Sequence, residues 1–238
     1  MVTVPGANAV KVAMINQTKI LFNHFTSMFM KKLLLVAFTL FYAGQVSAQQ
    51  TLSDLFAGKA KLVFLGLDFT QAKYIGKAGF IDPIAIKNQH MVSWNTLIEA
   101  EPKKFSLQDA FKLKPDQYES KVADMTKLNE SANVKDNITE DDYAITEDQV
   151  KKSVAKYSLS EKDGIGIVYV VESLNKNAEK LFAWVTFIDL STKKVLHTEK
   201  IEGAAGGFGF RNYWAGGVYK INKAIDSKYY KTWSKTLK

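Results

Sequence analysis

Four acids lie on or beside stretches that read as strands: Asp68, Glu172, Asp189 and Glu199. Two carboxyls at the end of a sheet, one protonated and one ionised, are what glycoside hydrolysis requires. The plainer expectation is one acid per strand end, each facing water. Histidine offers less. His90 and His197 are the histidines beyond residue 48, and no H-x-x-x-H or HExxH spacing occurs, so no metal site is expected. No G-x-S-x-G elbow presents a serine nucleophile. The chain has no cysteine, which removes thiol catalysis and Cys-ligated zinc. No catalytic residue and no cofactor is therefore assigned.

Two stretches could bind rather than react. In GAAGGFGFRNYWAGG, glycines precede a predicted helix, where free backbone N–H groups and the helix dipole favour an anion. Gly206, Gly207, Gly209 and Arg211 would be the participants. No GK[ST] and no G-x-G-x-x-G follows, so glycines that turn a strand-to-helix corner are the competing explanation. The tail SKYYKTWSKTLK mixes cations with aromatics, a combination that holds anionic polymers. Its candidates are Lys228, Tyr230, Lys231, Trp233 and Lys235. Lysines at a helix C-terminus also suit the dipole. The acidic run Asp136 to Asp148 lacks the glycine and ligand order of a calcium loop and reads as solvated.

These residues need elements to position them. Ile165–Val171 is almost entirely β-branched or aromatic, Leu181–Leu190 has the same character, and Val195–Ile201 is more polar. Turn residues separate them, so they read as a three-stranded antiparallel meander with the third strand near an edge. Lys61–Phe69 is an earlier strand. Leu52–Phe56 reads as a short lead-in turn and Ile75–Ile86 as irregular. A helix is expected over Asn88–Glu101, capped by Asn88, and a short one after Ser106. A third should start at Pro115, with Tyr118, Val122, Met125 and Leu128 as its stripe. Asn129–Asp142 reads as a surface loop. Thr146 and Gln149 form a capping box, flanked by the staple Ile145 and Val150. The last helix, about Arg211–Lys228, should bury Trp214, Val218, Ile221, Ile225 and Tyr229. Gly216 and Gly217 inside it point to close approach of helix and sheet.

Residues 28–48 read as a signal peptide: Met30-Lys31-Lys32, the apolar core Leu33–Tyr42, and the small residues Val46-Ser47-Ala48 before Gln49. Residues 1–27 read as an upstream extension, with Met28 or Met30 as the expected start. Without cysteine no lipid anchor can follow the cleavage site. The expected location is the periplasm or the medium. Removing the leader's four lysines from 32 basic residues leaves 28 against 24 acidic, a formal +4. Such a mild excess does not call for nucleic acid. Residues 49–238 should form a single α/β (α+β) domain, mostly antiparallel, with helices packed on the sheet and no transmembrane segment.

The segments LGLDFT (Leu65–Thr70), WNTLIEAEPKKF (Trp94–Phe105) and GFGFRNYWAGG (Gly207–Gly217) resemble those of a group of uncharacterised secreted Bacteroidetes proteins. The order of elements is similar, more weakly, to the small α/β domain of TolB amino-terminal regions and curli-secretion lipoproteins. The first resemblance implies no nameable activity. The second implies assembly or envelope work, although the lipid-bearing cysteine is missing. The expectation is a non-enzymatic binding or assembly module of the envelope, its partner an envelope protein or an anionic glycan. The alternative is a hydrolase of glycan or peptidoglycan using strand-borne carboxylates.

Overall fold

The computed structural model describes residues 50–237, so the expected extension at residues 1–27 and leader at 28–48 lie outside the described residues. The described chain builds one seven-stranded mixed sheet with helices on both faces, an α/β arrangement. In order it forms α1 (Leu52–Phe56), β1 (Leu62–Asp68), β2 (Lys73–Ile75), α2 (Pro83–Ala85), α3 (Met91–Ala100) and α4 (Leu107–Ala110). Then follow β3 (Tyr118–Ser120), α5 (Ala123–Leu128), β4 (Ile138–Thr139) and α6 (Glu147–Ala155). The meander β5 (Ile165–Asn175), β6 (Lys180–Asp189) and β7 (Lys194–Ala204) leads to α7 (Phe210–Ala224) and α8 (Tyr230–Thr236). π-helical turns at Ile86–His90 and Ile225–Tyr229 join α2 to α3 and α7 to α8.

β5 is the spine. β6 runs antiparallel along one side of it, from Ile165↔Asp189 to Asn175↔Lys180. The other side is shared by two strands in line. β1 pairs in parallel with Ile165–Val170, and β2 with Ser173–Asn175. One column further out, β3 lies parallel to β1 and β4 parallel to β2. The antiparallel character expected from the sequence thus belongs to the two long ladders, β5–β6 and β6–β7, and the short strands add a parallel half. Parallel pairing follows from the long helical connections between β1, β3 and β5. β7 pairs with β6 alone, as its polar composition predicted.

Both faces of the meander are clad. Ile165, Ile167, Tyr169 and Val171 of β5 face a cluster with Trp94, Leu97 and Ile98 of α3 and Trp214, Val218 and Ile221 of α7. Val168 and Val170 face Val150, Val154 and Tyr157, which α6 delivers. Trp214 is 1% exposed, so the terminal helix covers the sheet as its stripe required. The capping box at Thr146 is complete: Gln149 N–H donates to Thr146 Oγ1, and Thr146 N–H donates to Gln149 Oε1 at 2.8 Å. Ser106 caps α4 through the Asp109 N–H at 3.0 Å.

Several expectations change. The helix through Trp94 starts earlier than Asn88: Asp82 Oδ1 accepts from the Ala85 N–H at 2.9 Å and Pro83 takes the first position. Leu52–Phe56 is a capped helical turn. The stripe from Tyr118 to Leu128 is not one helix. Pro115–Gln117 is a 3-10 turn, Tyr118 enters β3, and the helix begins at Ala123. Pairing of Tyr118 with Leu62 outweighs local helical spacing there. The stretch taken as a surface loop buries Asn129, Ala132 and Val134 and adds β4 to the sheet.

Candidate functional site

Asp68 ends β1, and a bulge aims it. The β1–β5 register shifts between Phe64 and Gly66, where Gly66 takes φ 110°. The shift turns Leu67 toward the α3 side and Asp68 toward the α6 side. There the Tyr157 hydroxyl donates to Asp68 Oδ2 at 2.5 Å. Thr70 donates to Oδ1 from its backbone N–H at 2.8 Å and its hydroxyl at 2.6 Å. Burial, followed by the charge of Asp68, pushes the Tyr157 phenol well above its ordinary pKa, so it remains a donor.

Beyond this pair opens a cleft of about 460 Å³ lined by Tyr157, Thr70, Gln71, Gln149, Lys152, Ser153, Lys156, Ser131 and Leu128. The Gln71 amide donates to the Ser153 hydroxyl and to the Gln149 carbonyl at 3.4 Å, which ties the segment after β1 to α6. Hydroxyls and amides form the walls, two ammonium groups stand at the rim, and no carboxylate lines the cleft. It opens at the C-terminal end of β1, where ligands of open α/β sheets commonly bind. A wider depression of about 610 Å³ beside α5 carries both Glu99 and Glu130 and Lys121 and Lys127, and so offers no single charge preference.

The other acids are structural. Glu172 lies at the bulge of β5 between Val171 and Ser173. Its Oε2 accepts from the Ile145 N–H at 3.0 Å and Trp184 Nε1 at 3.2 Å, and its Oε1 pairs with Lys200 Nζ at 2.5 Å. Asp189 closes the β6–β7 turn by accepting from the Ser191 N–H at 2.9 Å and its hydroxyl at 2.6 Å. The expectation that the strand acids face water therefore fails for Asp68, Glu172 and Asp189, all buried. Partners distant in sequence hold Asp68 and Glu172, whereas Asp189 is held by its own turn. Glu199 is partly exposed and accepts from Trp233 Nε1 at 2.6 Å.

At the glycine-rich corner, close approach accounts for four of the six glycines, Gly203, Gly207, Gly216 and Gly217. A Cβ on Gly203 would meet the Gly217 carbonyl, and one on Gly216 would meet the Gly206 backbone. The Gly206 N–H already donates to the Tyr213 carbonyl at 2.8 Å, so it is not available to an anion. Gly207 and Gly209 have φ values of 127° and 79° and turn the chain into α7. Arg211 reaches Asn212 Oδ1 at 3.0 Å and Glu101 at 3.8 Å. In the tail, Trp233 is a core residue, 1% exposed and packed on Phe111 and Phe187, so it cannot stack on a glycan. Tyr230 packs edge-on to Phe56, while Lys228, Lys231 and Lys235 are exposed.

Two asparagines escaped sequence reasoning. Past β3, no strand among the described residues lies beside the outer edge of β1, and Asn95 and Asn129 take that place. Asn95 Oδ1 accepts from the Leu67 N–H at 2.6 Å. Asn129 Oδ1 accepts from the Phe69 N–H and Nδ2 donates to the Leu67 carbonyl, both at 2.8 Å. Against known proteins, the chain matches no family model, no curated protein and no solved structure.

Proposed function

We propose that the protein is an exported, non-enzymatic binding module of the envelope, and that the cleft between the end of β1 and α6 holds an acidic glycan fragment. The leader-like residues 28–48 support export. The observation that carries the ligand class is the lining: hydroxyls and amides to meet sugar hydroxyls, Lys152 and Lys156 to meet a carboxylate, and no carboxylate in the wall itself. Asp68 supports the site from behind by fixing the hydroxyls of Tyr157 and Thr70. A hydrolase would need two reachable carboxyls, whereas Asp68 and Glu172 are sealed and each of their oxygens is engaged.

Calorimetric titration with uronate-containing oligosaccharides tests the proposal, with neutral oligosaccharides of equal length as reference. Acidic sugars are expected to bind, and Lys152→Ala with Lys156→Ala to weaken them at least tenfold. Equal binding of neutral sugars, or an unaltered affinity in the double variant, overturns it.

A further inference from the structure

The cleft beside α6 does not end at Tyr157. Leu128 and Ser131 line it on one side, and the same two residues line a second hollow of about 360 Å³ toward the start of α5. Asp124, Met125, Lys127 and Ser158 complete the lining of that hollow. The segment leaving α6 passes from one to the other, since Tyr157 lines the first and Ser158 the second. The two hollows are compartments of one groove between α5 and α6.

Each end of the groove is braced by segments distant in the chain. At the first, Gln71 bonds to the Ser153 hydroxyl and the Gln149 carbonyl. At the second, Asp124 Oδ2 accepts from the Ser160 N–H at 2.6 Å and the Ser160 hydroxyl at 2.8 Å, which stitches the start of α5 to the segment after α6. A groove braced in this way needs little ordering when a ligand enters. The compartments differ in charge. Lys152 and Lys156 stand at the first with no carboxylate in its wall, whereas Asp124 and Lys127 place one charge of each sign on the second. Buried Met125 and half-buried Leu128 give the second an apolar floor, and Ser131 and Ser158 bring hydroxyls to its edge.

We infer that the groove binds a glycan along its chain, with an acidic unit in the first compartment joined to a neutral unit in the second. The inference rests on the acidic-glycan reading of the first compartment and adds the length and order of the ligand. A neutral sugar suits the second compartment: its C–H faces lie on Met125 and Leu128 while its hydroxyls meet the serines, Asp124 and Lys127. A second uronate there would face the Asp124 carboxylate, whose charge offsets what Lys127 offers. A single acidic sugar leaves the second compartment to water.

Calorimetry on the full chain compares a uronic acid monosaccharide, the same uronate linked to a neutral hexose in either order, and the uronate disaccharide. In one linkage order the mixed disaccharide is expected to bind about tenfold more tightly than the monosaccharide or the uronate disaccharide. Ser158→Trp, at an exposed position, fills the second compartment. It should bring the mixed disaccharide down to the affinity of the monosaccharide, leave the monosaccharide as it was, and keep the circular dichroism spectrum unchanged. Lys152→Ala with Lys156→Ala should weaken all of these ligands. Equal affinity for the monosaccharide and both mixed disaccharides overturns the inference, and so does a preference for the uronate disaccharide. A Ser158→Trp variant that weakens mono- and disaccharide alike, or neither, also overturns it. In each of these cases the bound uronate leaves the reading of the first compartment standing. Failure of every acidic sugar to bind removes both readings together.

Discussion

Gly203 on β7 and Gly217 on α7 touch backbone to backbone: a Cβ on Gly203 would lie 2.8 Å from the Gly217 carbonyl carbon and nearer still to its oxygen. Neither backbone can yield without moving the helix off the sheet. Gly203→Ala is expected to destabilise by about 3 kcal/mol, the upper range for overpacking. Gly206→Ala, in open space, should change stability by no more than about 0.5 kcal/mol. Urea denaturation of both variants checks the contrast.

Asn129 supplies both halves of a missing ladder to Leu67 and Phe69. Asn129→Ala leaves the buried Phe69 N–H unpaired and the Leu67 carbonyl with only the longer bond from Asn95 Nδ2 at 3.3 Å, at a cost of about 2 kcal/mol. Asn133→Ala, on the exposed turn nearby, should cost little by the same denaturation measurement.

Tyr157→Phe removes the hydroxyl that donates to Asp68 while keeping the ring's packing. A buried carboxylate then loses one partner, and a loss of about 2 kcal/mol is expected. Asp68→Asn should recover part of that loss when added to Tyr157→Phe, since no full charge remains. A double-mutant cycle by denaturation measures the coupling.

His90 stacks between Trp94 and Phe210. Desolvation lowers its pKa from 6.5; Asp82 opposes the shift and Arg211 adds to it. With the folded pKa below the unfolded value, the unfolded chain takes up the proton first. The His90 contribution is therefore neutral above pH 6.5 and destabilising as pH falls through that value toward the folded pKa. The thermal midpoint of His90→Gln should consequently fall less between pH 7 and pH 5 than that of the unsubstituted chain, and an NMR titration should place His90 below 6.5.

What the sequence disclosed was what neighbours in the chain decide. Thr146 and Gln149 are three residues apart and announced the start of α6. The apolar runs of β5 and β6 announced a sheet covered on both faces, and the paired glycines in α7 announced its close approach. Long-range partners stayed hidden. Tyr118 was drawn into a helix by its spacing, because its pairing with Leu62 leaves no local trace. Asp68 and Glu172 looked like surface acids because Tyr157 and Lys200 lie far along the chain. Asn95 and Asn129 each read as an ordinary polar residue until the bare edge of β1 appeared beside them. The cleft itself combines residues from before β2, after α5 and along α6, and no spacing in the sequence joins them.

β1 and β2 both lean on β5, and this orders events during synthesis. Leu62 finds its inner neighbour only when Ile165 has been made, roughly a hundred residues later. Until then β1 can meet only its outer neighbours, β3, Asn95 and Asn129, and its inner edge stays unpaired. Both halves of the parallel side are therefore completed by one late ribbon, and neither can close before the ribosome has delivered it.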